Sequence, residues 1–97
     1  MRSYLLVFNG DQTIRKTVTS RIDEMVEIVN WIAFFDNALC IVSDDDIKVL
    51  SAKIGFGLPG VQFIVTELEI GKRQGWLPKS VWQFLKNPVP AHSEAAE

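Results

Sequence analysis

The chain has 97 residues, 47% of them apolar and 23% charged, with ten basic and twelve acidic side chains for a net charge of −2. That length fits one domain, and that composition belongs to a folded globular chain, which excludes a disordered or low-complexity one. The balanced charge excludes a global electrostatic pull toward nucleic acid or an anionic membrane, while leaving room for a local basic patch.

A chain this short buries only about two-thirds of its unfolded surface, so association with another copy or partner is a natural source of further stability. Cys40 is the single cysteine, set in the apolar run Ala38-Leu39-Cys40-Ile41-Val42. No intrachain disulfide can form, and a buried, inert thiol is expected. No apolar run approaches the roughly 20 residues that cross a bilayer. Met1-Arg2-Ser3-Tyr4 does not read as the start of a signal peptide. A cytoplasmic protein is expected.

The first predicted element is a strand over residues 3–8 (SYLLVF), ended by Asn9-Gly10. The period then changes. Ile14, Val18, Ile22, Met25, Val26 and Val29 recur at steps of three and four, with Arg15, Lys16, Arg21, Asp23, Glu24 and Glu27 on the other side. This spacing predicts an amphipathic helix from about Asp11 or Thr13 to Val29.

Two apolar strand-length runs, residues 31–35 (WIAFF) and 38–42 (ALCIV), flank Asp36-Asn37. They predict a hairpin, since both connecting residues tolerate positive φ. Ser43 before Asp44, Asp45 and Asp46 predicts an N-cap and an acidic first turn, with Ile47, Leu50 and Ile54 facing inward. The glycine-rich stretch 55–60 ends that helix, and residues 61–68 (VQFIVTEL) read as a fourth strand. After a polar loop over 71–75, Leu77-Pro78 opens a last helix with Val81, Trp82 and Leu85 inward. Pro88 and Pro90 end it, which gives a single domain over residues 1–87 and a disordered tail over 88–97. The fold class is α+β: a ferredoxin-like βαββαβ split sandwich with an extra C-terminal helix.

This order resembles the small CRISPR-associated subunit that scaffolds spacer integration, and its relatives the virulence-associated D toxins and the short SinR-like proteins of unknown role. The last group is the most similar, through Trp31 before the hairpin, the helix start at Ser43-Asp44, and the closing Gly75-Trp76-Leu77-Pro78…Trp82. The likeness spans roughly residues 3–86 and implies the split-sandwich fold. Nucleolytic members place a metal-binding aspartate just after the first strand, and here that position holds Asn9, in Phe8-Asn9-Gly10-Asp11. A neutral amide is a poor ligand for Mg²⁺, so nuclease activity is not expected. Asp11 is the candidate metal ligand only if the loop is displaced by two residues.

The remaining candidate motifs read as structure. Gly55-Phe56-Gly57-Leu58-Pro59-Gly60 matches G-x-G-x-x-G, but it follows a helix and precedes a strand, the reverse of a dinucleotide site. Asp44-Asp45-Asp46 point in different directions from one helix start and read as capping and solvated surface. His92, the only histidine, lies in the expected tail, so Ser-His-Asp and Cys-His chemistry lack their base and a His/Cys zinc site lacks ligands. The basic residues Arg15, Lys16, Arg21, Lys72, Arg73, Lys79 and Lys86 alternate with acids and read as mixed surface. The RNA-recognition fold shares this topology and stacks bases on strand aromatics. Tyr4 and Phe8 on one face of the first strand keep nucleic-acid binding open, although the glycine-aromatic signature of that fold is missing.

The most informative feature is that the strands are apolar on both faces. Tyr4, Leu6 and Phe8 oppose Leu5 and Val7, and Trp31, Ala33 and Phe35 oppose Ile32 and Phe34. Helices on one side leave the second face uncovered. The C-terminal helix and a second subunit are both expected to cover it, with Tyr4, Leu6 and Phe8 as the expected dimer interface, or Leu5 and Val7 if the helices take the other face. The expected function is therefore a non-catalytic homodimeric module acting through a macromolecular partner, with no cofactor, no catalytic residues and no membrane. A metal-dependent nuclease using Asp11, and a nucleic-acid binder without catalysis, are the two alternatives.

Overall fold

The computed structural model describes residues 1–69 and 72–86; the end of the expected domain at 87 and the tail at 88–97 lie outside them. The chain is α+β, and its described residues form a four-stranded antiparallel sheet with three helices. β1 spans Arg2–Phe8 and hands over to helix α1, Gln12–Glu24, through a tight loop. Gly10 is required in that loop, because a Cβ there would collide with the side chain of Ile14. Asp11 caps α1, its carboxylate accepting from the Ile14 N–H at 3.0 Å.

Helix α1 stops five residues short of the expected Val29. Met25 turns to extended backbone, and Ile28–Phe35 forms β2. The β-branched Ile28 and Val29 start a strand paired with β3, Ala38–Ser43, from Ile28↔Ser43 onward. Sheet pairing thus overrides the helical period, and Val26 is left exposed.

The hairpin at Asp36-Asn37 forms, but no non-glycine residue among those described has positive φ. A bulge between Ala33 and Phe35 absorbs the local irregularity instead. Asn37 donates from Nδ2 to the carbonyls of Phe8 (3.0 Å) and Gly10 (3.1 Å), tying the hairpin to the β1–α1 loop.

Helix α2 spans Ile47–Gly57, and its N-cap is Asp46, not Ser43. Ser43 is fully buried at the end of β3, where its hydroxyl donates to the Glu27 carbonyl at 2.7 Å and accepts from the Asp45 N–H. Gly55 and Gly57 lie inside α2, so the glycine-rich stretch ends the helix later than expected; the turn falls at Gly60, with φ +82°. β4 is Phe63–Glu67, shorter than the expected strand at both ends. Helix α3 is Lys79–Lys86, with Pro78 just before it accepting from the Val81 and Trp82 N–H groups.

The strands lie in the order β2-β3-β1-β4, with every neighbouring pair antiparallel. On one face, Tyr4, Leu6, Phe8, Leu39 and Ile41 pack against Val18 and Ile22 of α1 and Leu50 and Ile54 of α2. On the other, Cys40, Ile32 and Phe34 pack against Val81, Trp82 and Leu85 of α3, together with Leu68 and Leu77. The described residues therefore cover both faces of the sheet, the second one only in part.

Candidate interaction surface

Tyr4, Leu6 and Phe8, the expected dimer interface, are buried in the first core beneath α1 and α2. The helices take that face because it also carries Leu39 and Ile41 of β3. This corrects the expectation: the three side chains are enclosed within one chain, and none is left to meet a partner. Leu5 and Val7 belong to the other face, where Leu5 stands opposite Cys40 and Val7 opposite Ala38.

Helix α3 covers the β2–β3 part of this second face, through contacts to Cys40, Ile32 and Phe34. Arg73 fixes the connecting segment, donating to the carbonyls of Leu68 (2.8 Å) and Leu85 (3.0 Å) and so joining the end of β4 to the end of α3. Burial beneath α3 pushes the Cys40 thiol up to about 12. The sulfur is thus held as a neutral thiol, without the thiolate character that a nucleophile or metal ligand needs.

Beyond α3, one apolar row crosses all four strands: Phe35 opposite Ala38, Ala38 opposite Val7, Val7 opposite Ile64. Phe35 and Ile64 are each 64% exposed and Val7 is 37% exposed. The row ends at Ile64 on β4, an edge strand. Just past it lies a groove of about 400 Å³ between α2 and β4, lined by Ile47, Lys48, Ser51, Phe63, Ile64 and Val65. On the outer side of β4, no strand among the described residues completes the ladder. The sequence signalled two apolar faces; it did not signal which half of the second face stays open, because that depends on where α3 lands.

The acidic candidates are engaged in structure. Asp11 is the α1 cap. Asn9 donates its backbone N–H to the Gln62 carbonyl at 2.9 Å and its amide to the Gln62 side chain at 3.3 Å, bracing β1 against the approach to β4. Asp44 lies 3.5 Å from the N-terminal ammonium, Asp45 pairs with Lys53 at 3.0 Å, and Asp46 caps α2. The hydrogen bond that Lys53 donates to the Asp45 carboxylate, with Glu27 nearby, raises its ammonium above the ordinary value. The three consecutive aspartates diverge, and no group of three or more potential metal ligands converges among the described residues. Of the basic residues, Arg15 donates to the Asp36 carbonyl and Lys72 pairs with Glu69. His92 lies outside the described residues. No described helix is long and apolar enough to cross a membrane.

No protein-family model matches the chain, and neither does any curated protein or solved structure.

Proposed function

We propose that the chain is a ferredoxin-like βαββαβ module with an added C-terminal helix, and that it works as a non-catalytic homodimer acting through a macromolecular partner. The strand order β2-β3-β1-β4 with antiparallel neighbours supports the fold assignment. Kinship with the integration-scaffold and virulence-associated D superfamily is part of the same proposal. It rests on the element order and on the sequence likeness at Trp31, Ser43-Asp44 and Gly75-Trp76-Leu77-Pro78…Trp82.

The observation that carries the homodimer is the uncovered row Phe35–Ala38–Val7–Ile64. An apolar patch of a few hundred Å² is at the upper end of what soluble monomers expose. A two-fold contact presents the same patch on both partners, so at the β4 edge the Ile64 end of one row meets the Ile64 end of the other without any charge to desolvate. The second copy is the occupant that needs nothing beyond this chain. The roles found for Asp11, Asp45 and Asp46 as caps and ion-pair partners support the non-catalytic part.

The test is Ile64→Lys, which sets a charge where the row reaches the sheet edge. Its fold, read by circular dichroism, should be retained, and its dimer dissociation constant should rise at least tenfold in sedimentation equilibrium. An unchanged constant would remove the row from the interface.

A further inference from the structure

We propose that two copies join edge to edge, β4 against β4 in antiparallel register about Val65, making one continuous eight-stranded sheet. This rests on the homodimer reading and specifies its geometry.

The direction of the free hydrogen-bonding groups follows from two observed bonds. The Asn9 N–H donates to the Gln62 carbonyl, and the Leu68 N–H donates to the Ser3 carbonyl. Residues 62 and 68 therefore aim their ladder groups at β1, and alternation along the strand aims those of Ile64 and Thr66 the same way. Phe63, Val65 and Glu67 aim theirs outward, where no described strand meets them.

The two edges of the sheet differ in how they resist pairing. β2 is interrupted by register shifts between Ile28 and Asn30 and between Ala33 and Phe35. Such bulges are a common protection of an edge strand. β4 pairs with β1 without a shift and carries no proline or lysine, only Phe63-Ile64-Val65-Thr66-Glu67. It is the regular, β-branched edge that proteins ordinarily blunt unless it is used.

Charge selects a second copy of the chain as the occupant. Full overlap of two antiparallel β4 strands sets Val65 against its own copy, Ile64 against Thr66, and Phe63 against Glu67. The Glu67 carboxylate of each copy then arrives at the Phe63 end of the other, beside the groove that Lys48 lines. Neither Lys48 nor Glu67 has an ion-pair partner within 4 Å among the described residues. Two intermolecular Lys48–Glu67 pairs result, and no like charges are opposed.

Two measurements test this register. Ile64 and Thr66 of opposite copies form a non-hydrogen-bonded pair, whose Cα separation of about 4.5 Å suits a disulfide. Under mild oxidation, Ile64→Cys mixed with Thr66→Cys should give a covalent dimer, and either variant alone should give none; Cys40 is fully buried and does not compete. Val65→Pro removes an outward N–H while sparing the ladder to β1, and should be folded by circular dichroism yet monomeric. A wild-type dimer that gives no mixed crosslink and persists in Val65→Pro overturns the edge geometry and leaves the homodimer standing. A monomeric wild-type chain overturns both.

Discussion

The hydroxyl of Tyr4 donates to the backbone carbonyl of Asp45 at 2.7 Å, joining the start of β1 to the approach to α2 across 41 residues of sequence. Tyr4 is fully buried, and this bond gives its one polar atom a partner. Tyr4→Phe should leave the fold intact but strand that carbonyl, costing about 1–2 kcal/mol in the denaturant midpoint. A neutral result would mean that the residue is not locked in the core.

Asp11 offers a test that separates structure from chemistry. As the α1 cap, its replacement by Ala should lower stability by about 1 kcal/mol. The wild-type chain should show no magnesium- or manganese-dependent cleavage of RNA or DNA. Cleavage that disappears in Asp11→Ala would establish the nuclease alternative.

Arg73 and Trp82 hold α3 on the sheet, and Cys40 beneath them reports on that contact. Arg73→Ala and Trp82→Ala should each speed modification of Cys40 by a thiol reagent at least tenfold at neutral pH, while the far-ultraviolet dichroism of the sheet is kept. Rates equal to wild type would mean that neither side chain secures the helix.

The same thiol makes stability depend on pH in a stated direction. Its value is raised from 9.0 to about 12 by burial. The unfolded chain therefore releases the Cys40 proton first. The contribution is fully present below pH 9 and is lost as pH rises through the folded value, at up to about 1.4 kcal/mol per pH unit. Between pH 9 and 11, wild type should lose stability faster than Cys40→Ala. Parallel curves would contradict the burial.

The element order and most strand cores were legible in the sequence because each short run was either strongly periodic or strongly apolar. The boundary at Glu24 was not, since Met25, Val26 and Val29 continue the helical spacing and only the pairing of Ile28 with Ser43 decides against it. Ser43 read as the cap and Asp46 as part of the first turn; the buried bond from Ser43 to Glu27 takes Ser43 out of that role and leaves the cap to Asp46. For the interaction surface, the doubly apolar strands announced that a second face needed cover. They did not say that the helices would take Tyr4, Leu6 and Phe8, because neither side of β1 is polar. Nor could the open edge of β4 be read locally: it exists only because β1 lies between β3 and β4.

Light scattering across a hundredfold dilution tests the central claim, the homodimer, most directly. The chain mass is 11.0 kDa, and the account predicts twice that mass at the upper concentrations. A mass of 11.0 kDa at every concentration would contradict it.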